Sequence, residues 1–498
     1  MAKATETEQY VVLPPRGLRA GTSAGDAQAR EVLVGAESVT GGRLSIDGSQ
    51  VPVKVIDSIA SNGAKLVELS PASALALRFL RPGLRVVPVV YYTPAVAPIP
   101  QVESRPVTTT SGRTAAGDTI TMKVVSKKDK SPVVGAIVVA FVDFAGRTGA
   151  QGVTDGAGQV SLALGAASVQ LQRLYIYPVD GYWSLIKKNV TVSSASVLTL
   201  APLDLAYTDG VRYFYPSSPD DAGAGVTVGV VDTGVAAHPD LVIAGGANTV
   251  PGEDPTDFGD NGVHHGTHVA GIIAARGTPP TGIRGVAPGV SLRAYRVFGQ
   301  GSGSASSFAI AKAIDQAVTD KCDLINMSLG GGQADPVLTA AVEDARAAGS
   351  LCIIAAGNDG RKPVSFPAYD DRALAVSAMG RKGTFPTSAT EAGDVAAPYG
   401  TDKKNFLADF SNVGPQLDLV GPGVGIMSTV PGGYEEISGT SMACPAVTGA
   451  AARSLTPKIL KMKRAAARSD AMVTAVVATA KPLGFGPTFE GHGVPRPD

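Results

Sequence analysis

The sequence predicts an α/β fold, a parallel sheet flanked by helices on both faces, preceded by a small α+β unit and a β-sandwich. Continuous apolar runs at 228–231, 323–328 and 351–356 have the composition of strands that are buried on both faces. Helical patterns at 306–319 and 337–348 separate these runs, and such alternation of strand and helix is typical of a parallel sheet. The chain has 498 residues, enough for roughly two to four domains, so the preceding units are expected to have cores of their own.

The composition argues against several classes of partner. Lys+Arg and Asp+Glu both number 43, so the formal net charge is zero and nothing favours a nucleic acid or a charged membrane surface. No apolar run reaches the ~18 residues of a membrane span. The first residues lack the apolar core of a signal peptide, which predicts a cytoplasmic location; secretion is the alternative, because a trimmed chain would look the same. Cys322, Cys352 and Cys444 lack metal-ligand spacing and are expected as reduced core thiols, with a disulfide between the first two as the alternative.

The first unit, residues 10–94, has an α+β pattern. Its strands are expected at 10–13, 53–59, 64–69 and 84–92. Pro71 begins a helical pattern that continues to Leu80, because proline is favoured in the first turn of a helix.

A stiff linker and a second unit follow. The prolines at 94, 98 and 100 predict an extended linker. Residues 107–200 contain short strand patterns separated by turn signals, and about six or seven strands at this spacing predict a small β-sandwich. A spacer or packing module without a site of its own is the simplest role for this unit. Binding of a carbohydrate or of a partner is the alternative.

One stretch near the end of the chain has the features of an activated nucleophile. Ser441 follows a Gly-Thr turn and precedes small residues that suit a helix packed in a core. A helix that begins near Thr440 leaves unpaired N–H groups beside Ser441, where they can bind an oxyanion. The hydroxyl needs a base, and residues 264–268 hold three of the five histidines. Asp232 ends an apolar strand, at the edge where open α/β sheets place their chemistry.

These segments and two others resemble the subtilisin-like serine proteases. The matching motifs are Val-Asp-Thr-Gly at 231–234, His-Gly-Thr-His at 265–268, Asn-Met-Ser-Leu-Gly-Gly at 326–331, Ala-Ala-Gly-Asn at 355–358 and Gly-Thr-Ser-Met-Ala at 439–443. They occur in the order acid, histidine, serine that this family uses. The resemblance covers residues 226–452 and implies a catalytic domain over 205–485 that hydrolyses peptide bonds in proteins or peptides.

The resemblance implies a role for each matched residue. Ser441 is the implied nucleophile, His265 the general base, and Asp232 the acid that orients the histidine. Asn358 is implied to donate to the oxyanion together with the backbone N–H of Ser441. The residues implied to bind an extended substrate are Ser302, Gly303, Ser328, Leu329, Gly330 and Gly357. No charged residue is evident in the main pocket, so apolar or aromatic residues are expected before the cut.

The sequence departs from the family pattern in several places. Ala446 stands where the family commonly has histidine. The loop at 276–282 lacks the asparagines that help to bind calcium, and Asp240 is the one acid retained that could serve as a ligand. No cofactor is therefore expected, with a structural calcium ion as the alternative. Residues 378–405 predict an inserted surface loop, with an exosite or lid as the alternative. Basic residues at 458–468 predict a solvated helix face.

The position of residues 10–94 before a protease makes this unit similar to an inhibitory propeptide. The resemblance then implies a precursor whose groove is covered by residues 87–93 and which is cut near Tyr91 and Tyr92. A generic α+β domain without an inhibitory role is the alternative. For the whole chain, the alternative to an enzyme is a catalytically silent scaffold that binds peptides in the same groove, although such a scaffold would not need these catalytic residues.

Overall fold

The computed structural model describes residues 7–37, 42–104, 119–331 and 333–497. Val107, the predicted start of the sandwich, lies outside these ranges. Within them, none of the helices has the length and apolar character that a membrane crossing needs.

The first unit is an antiparallel sheet packed against helices. Its strands are β1 Glu8–Leu13, β2 Arg43–Ile46, β3 Ser49–Pro52, β4 Lys54–Ser58, β5 Lys65–Leu69, β6 Arg85–Pro88 and β7 Tyr91–Pro94, and its α-helices are α1 Ala27–Glu37 and α2 Pro71–Leu80. The sheet has the order β4-β5-β1-β6. The α+β prediction is confirmed. Helix α1 was not predicted, and the expected single strand at 84–92 is two strands, because β7 leaves this sheet.

Alternate residues of β1 join two different cores. Tyr10 and Val12 pack beneath the helices of the first unit. Val11 and Leu13 point to the other face and join a core cluster that also contains residues of the main sheet and of its helices. Since side chains alternate along a strand, β1 connects the first unit to the main body of the protein.

Polar contacts reinforce this docking. The Leu18 N–H donates to Asp344 Oδ2 over 2.7 Å, and Lys312 Nζ pairs with Asp57 Oδ2 at 2.7 Å. Asp344 and Lys312 lie on the two helices, α6 Pro336–Ala347 and α5 Ser307–Thr319, that face the first unit. The first unit therefore rests on a pair of helices of the main domain.

The second unit is the predicted β-sandwich. Its strands are β8 Thr119–Ser126, β9 Ile137–Asp143, β10 Thr148–Val153, β11 Gln159–Ala163, β12 Ser168–Tyr177, β13 Leu185–Ser193 and β14 Val197–Leu200. One sheet has the order β10-β9-β12-β13 and the other β11-β8-β14. Inward residues of both sheets, such as Leu174 and Met122, form one apolar core.

The main domain is built on a nine-stranded sheet. Its strands and those of the small sheets around it are β15 Thr227–Asp232, β16 Ile243–Asn248, β17 Ser291–Arg296, β18 Ala305–Ser306, β19 Leu324–Met327, β20 Leu329–Gly330, β21 Leu351–Ala355, β22 Leu374–Arg381, β23 Val395–Tyr399, β24 Asn405–Ala408, β25 Leu419–Pro422, β26 Ile426–Val430, β27 Gly433–Ile437, β28 Ala480–Lys481 and β29 Val494–Pro495. The remaining α-helices are α3 Gly210–Phe214, α4 His265–Ala274, α7 Thr440–Ser454, α8 Pro457–Leu460, α9 Ala466–Ala478 and α10 Pro487–Glu490.

The order of the main sheet confirms the predicted architecture. Strands β16-β17-β15-β19-β21-β22 are parallel neighbours, and β25 pairs in parallel with β22. Residues of α4 and α7 form the core on one face, and residues of α5 and α6 form the core on the other. The carboxyl ends of the parallel strands therefore meet the start of α4 and α7 at one edge.

The prediction of a surface loop at 378–405 is wrong in part. Residues 378–381 continue β22 and residues 395–399 form β23, which pairs with β24 in the main sheet, and the residues at 382–394 connect these strands. This stretch also contacts the sandwich, since the Ile186 N–H donates to Ser388 O over 2.8 Å and Ser184 Oγ donates to Glu391 Oε2 over 2.9 Å. The sequence could not reveal this role, because the contact joins segments far apart in the chain.

The solvated basic face predicted at 458–468 is also partly wrong. Lys458 is exposed, but the Arg468 side chain is 2% exposed and its Nη2 pairs with Asp323 Oδ1 at 2.6 Å. Asp323 also accepts from the N–H of Thr227. This arginine is therefore buried beside a carboxylate and is not part of a solvated face.

The three cysteines are free and buried, as predicted.

Candidate active site

Asp232 and His265 form a buried pair at the edge of the main sheet. Asp232 is the last residue of β15, and His265 is the first residue of α4. His265 Nδ1 lies 2.7 Å from Asp232 Oδ1, and the two side chains are 3% and 1% exposed. Because a carboxylate only accepts hydrogen bonds, the proton is on Nδ1, and Nε2 is left as a free acceptor. This Nε2 is buried and has no hydrogen-bond partner among the described residues.

Ser441 is the second residue of α7, where helix N–H groups have no partner within the helix. Its Oγ donates to the carbonyl oxygen of Ser328 over 2.8 Å, and Ser328 Oγ donates to the carbonyl oxygen of Ser441 over 2.9 Å. The backbone N–H of Ser441 donates to the carbonyl oxygen of Ala95 over 3.0 Å. The structure therefore brings a carbonyl group of the chain itself to the N–H of this serine.

Asn358 is held beside the start of α7 by its side-chain oxygen. Asn358 Oδ1 accepts from the Thr440 N–H over 2.9 Å, while Nδ2 is buried and lacks a hydrogen-bond partner in the part of the chain that is described. The preceding Gly357 has a φ of +101°, and a Cβ there would lie 2.4 Å from Asn412 Nδ2. Glycine is needed at this turn, and the turn leaves the Asn358 amide N–H₂ group free to donate.

The two neighbouring histidines do not share the environment of His265. His268 is fully buried, and its Nε2 lies 3.1 Å from the carbonyl oxygens of both Ile426 and Glu435. Burial, helped by the nearby His265, lowers the pKa of His268 to about 3, so this ring is neutral. His264 precedes α4 in a left-handed conformation. Among the described residues, His265 is thus the one of these three histidines whose ring bonds to a carboxylate.

An extended segment of the chain crosses the site. Strand β7 lies between β18 and β20 in a small antiparallel sheet, with Tyr92 opposite Ala305 and Thr93 opposite Gly330. Beyond β7, the Ala95 N–H donates to Ser328 O over 3.1 Å and the Ala97 N–H donates to Ser438 O over 2.8 Å. This is the backbone pairing with which proteins bind an extended peptide.

The predicted substrate-binding residues divide into two groups. Ser328, Leu329 and Gly330 pair with the segment that crosses the site. The other edge, predicted at Ser302 and Gly303, lies instead at Ala305 and Ser306. Carbonyl groups of the earlier loop have internal partners: Ser302 O accepts from Asn261 Nδ2 over 3.0 Å. All the residues from 301 to 306 are small, so no sequence signal distinguished the pairing positions.

Sequence analysis also missed the pocket that holds Tyr92. This side chain is fully buried, with its ring centroid 6.3 Å from that of Phe366. Its hydroxyl donates to Asp335 Oδ2 over 3.4 Å, and burial raises the pKa of the Asp335 carboxyl group. Asp335 is also the N-cap of α6, where its side chain accepts from the Val337 N–H.

The chain contacts the Ser441 N–H through Ala95, whose carbonyl oxygen accepts this hydrogen bond. Tyr91 and Tyr92, where the sequence suggested a cut, lie earlier in the chain. Gly439 allows this approach, because a Cβ at residue 439 would lie 2.6 Å from the Ala95 oxygen. The predicted linker at 94–100 therefore begins inside the groove.

Asp240, the acid that matches the calcium pattern of the family, has hydrogen-bond partners within the chain. Asp240 Oδ2 accepts from the Ile283 N–H over 2.9 Å and from the Tyr434 hydroxyl over 3.0 Å. Within the described ranges, no group of three or more His, Cys, Asp or Glu residues could hold a metal ion. Ala446 is fully buried within α7, so the departure from histidine is accommodated by packing.

Comparison with known proteins shows to which family the main domain is similar. The sequence profile of the subtilase family matches residues 223–493, more than half of the chain. The chain belongs to the subtilase family. This subtilase is 44% identical to subtilisin Savinase of Lederbergia lenta over 232 residues, which is 46% of this chain and 76% of that protein. It is 44% identical to the alkaline protease of Alkalihalobacillus alcalophilus over 232 residues, 46% of this chain but 54% of that protein.

A third relative is similar over the same part of the chain. Subtilisin DY of Bacillus licheniformis is 41% identical over 236 residues, 46% of this chain and 76% of its own length. The subtilase described here is thus a serine-type endopeptidase with the α/β fold that its sequence predicted, and its substrates are proteins or peptides. The first unit and the sandwich precede residue 223 and lie outside the family match.

Proposed function

We propose that this subtilase cleaves peptide bonds with Asp232, His265 and Ser441 as catalytic residues and with Asn358 as a donor to the oxyanion. The observation that carries the proposal is the 3.0 Å hydrogen bond from the Ser441 N–H to the Ala95 carbonyl oxygen. It sets a peptide carbonyl group beside the serine. The oxygen of the Asn358 side chain is bonded to the adjacent Thr440 N–H, and its Nδ2 has no partner among the described residues. Donors fixed in advance around a carbonyl oxygen stabilise the negative charge that develops there.

The reaction begins with a rotation of Ser441 Oγ from Ser328 O toward His265 Nε2. Oγ attacks the carbonyl carbon and its proton passes to Nε2, while Asp232 holds the Nδ1–H and stabilises the imidazolium. His265 then gives this proton to the leaving nitrogen as the C–N bond breaks, and an ester to Ser441 remains. A water molecule, deprotonated by His265, hydrolyses the ester and restores the serine.

The first unit serves in this proposal as an intramolecular inhibitor and as the first substrate. Its strand β7 fills the groove, and the bond between Ala95 and Val96 is the one that Ser441 cuts. The residue before this bond, Ala95, is apolar, as expected from the absence of a charged residue in the main pocket. Binding of the whole segment by antiparallel backbone pairing explains how one strand both inhibits and is cleaved.

A fluorophosphonate probe tests the catalytic residues. The wild-type protein should be labelled at Ser441, and the Ser441→Ala variant should not be. His265→Ala should slow labelling by about 10³-fold or more, because the hydroxyl then lacks its base. Equal labelling of wild type and His265→Ala would contradict the assignment of the base. Absence of labelling in wild type would contradict the proposal as a whole.

A further inference from the structure

The chain beyond Ala95 enters a cleft between the sandwich and the main domain. The cleft has a volume of about 980 Å³ and is lined by the segment from Val96 to Gln101. This segment is called the arm below. Phe144 and Tyr177 line the cleft from the sandwich, and Asn358, Ser438 and acidic residues that include Glu435 and Glu436 line it from the main domain. The groove that binds β7 thus continues past the cut, with the sandwich as its second wall.

The arm is held along this wall by contacts that do not involve Ala95. Ile99 packs on an apolar cluster of the sandwich that includes Phe141, Tyr175 and the half-buried Phe144. The Ala97 N–H donates to Ser438 O over 2.8 Å. Breaking the bond between Ala95 and Val96 removes none of these contacts.

The far end of the arm is fixed to the edge of the sandwich. The Val102 N–H donates to Gln151 Oε1 over 3.0 Å, and the Glu103 N–H donates to Arg147 O over 3.0 Å. The Gly149 N–H donates to Ser104 O over 2.9 Å. The arm therefore remains tethered next to its binding surface whether or not its first residue is free.

The sandwich is itself docked independently of the arm. It contacts the stretch at 378–405 through Ser184 and Ile186, and the Gly181 N–H donates to Tyr434 O over 2.9 Å. The wall that faces the arm consequently persists after the cut.

We propose that the sandwich carries a binding surface for an extended, apolar, proline-containing chain that continues the substrate groove beyond the cut, and that the arm occupies it before and after cleavage. This inference rests on the proposed function. Pro98 and Pro100 stiffen the arm, so little conformational entropy is lost on binding. Tethering adds an effective concentration in the millimolar range. Once the first unit has dissociated, the cleaved enzyme accordingly has a free groove on the side before the cut and an occupied groove on the side after it.

Two substrates with the same residues before the cut test this inference on the cleaved enzyme. One ends in a p-nitroanilide directly after the cut, and the other is an internally quenched peptide that continues with Val-Ala-Pro-Ile-Pro. Ile99→Asp should release the arm and raise kcat/KM for the quenched peptide about 5–10-fold, with hydrolysis of the p-nitroanilide unchanged. Val197→Asp, an exposed position on the other sheet of the sandwich, is the matched control and should change neither.

A second comparison tests the chemistry of the surface. In Ile99→Asp, a peptide that continues with Val-Ala-Pro-Ile-Pro should be preferred about 5-fold over one that continues with Val-Ala-Gly-Asp-Gly, because the apolar wall is then accessible. Adding Phe144→Ala should remove that preference. No preference in Ile99→Asp, or no gain in its kcat/KM for the quenched peptide, overturns the inference. If the p-nitroanilide is hydrolysed normally in that case, the proposed function stands; if wild type neither hydrolyses it nor labels at Ser441, both fall together.

Discussion

The carbonyl oxygen of Ala95 accepts a 3.0 Å hydrogen bond from the backbone N–H of Ser441. This contact joins the end of the N-terminal unit to the start of helix α7, and it places a segment of the chain itself against the serine. The stretch on either side of Ala95 is bound by different parts of the molecule. Strand β7 is held by the main domain, and the arm is held by the sandwich and by Ser438. Each part can therefore be tested by itself.

Replacement of Asn358 tests whether its amide nitrogen acts in catalysis. Asn358→Asp keeps an oxygen for the Thr440 N–H but removes the donor, and Asn358→Ala removes both. Both variants should lower kcat by about 10²–10³-fold with little change in KM, the loss that removal of such a donor causes in subtilisin. If Asn358→Asp retained wild-type kcat and only Asn358→Ala were impaired, the residue would be a cap of α7 and no more.

The Tyr92 side chain should contribute strongly to inhibition by the first unit, because it is fully buried beside Phe366. Truncation of a buried aromatic side chain costs about 3–5 kcal/mol. Tyr92→Ala should therefore speed the appearance of peptidase activity after cleavage by about 100-fold or more on dilution. Tyr91→Ala is the matched control, since Tyr91 is 57% exposed. Equal recovery in the two variants would show that the pocket of Tyr92 does not hold the inhibitory strand.

The docking of the sandwich should weaken as the pH rises. Burial, together with Asp180 of the sandwich, raises the pKa of Glu435 from 4.5 to about 8. A carboxyl group with a raised pKa in the folded state favours folding below its unfolded pKa, and this contribution is lost as the pH rises through the folded pKa. In the inactive Ser441→Ala background, Glu435→Gln should leave Tm unchanged at about pH 4.5 and raise it by several degrees at about pH 9.

Thermal unfolding across this range provides the measurement. Glu31→Gln, at an exposed position of α1, is the control and should show no pH-dependent difference from the parent. A constant Tm difference between Glu435→Gln and the parent at every pH would mean that ionisation of Glu435 has no part in docking.

The buried ion pair between Arg468 and Asp323 should matter for stability. Arg468→Met removes the closer of the two arginines that pair with the Asp323 carboxylate and leaves Arg464 Nη1 at 3.3 Å, at a cost of about 3 kcal/mol. We expect a fall in Tm of about 5–10 °C in the Ser441→Ala background. The control Lys458→Met, at an exposed position, should change Tm by about 1 °C or less. Similar Tm values for the two variants would mean that the ion pair between Arg468 and Asp323 does not stabilise the fold.

Local patterns were sufficient to predict the main architecture. The continuous apolar runs of β15, β19 and β21 specify strands buried on both faces, and the small residues after Ser441 specify a helix that fits closely against them. The pairing of Asp232 with His265 followed from motifs of known order. In each case the signal lies within a few neighbouring residues.

The contacts between distant segments could not be predicted in this way. The meeting of Ala95 with Ser441 depends on how the first unit docks on α5 and α6, and no residue near Ala95 records that geometry. The stretch at 378–405 has the composition of a loop, and its contacts with the sandwich join segments about 200 residues apart in the chain. Arg468 has the sequence context of a surface residue, and only the fold brings Asp323 to it.

The most direct test of the account is the intact mass and N-terminal sequence of the purified wild-type protein beside the Ser441→Ala variant. The account predicts that the wild-type chain is cut once in this region, so that the new N terminus is Val96, and that Ser441→Ala remains whole. An identical, uncut mass for both proteins, or a wild-type N terminus at any other residue of the 91–101 stretch, would contradict it.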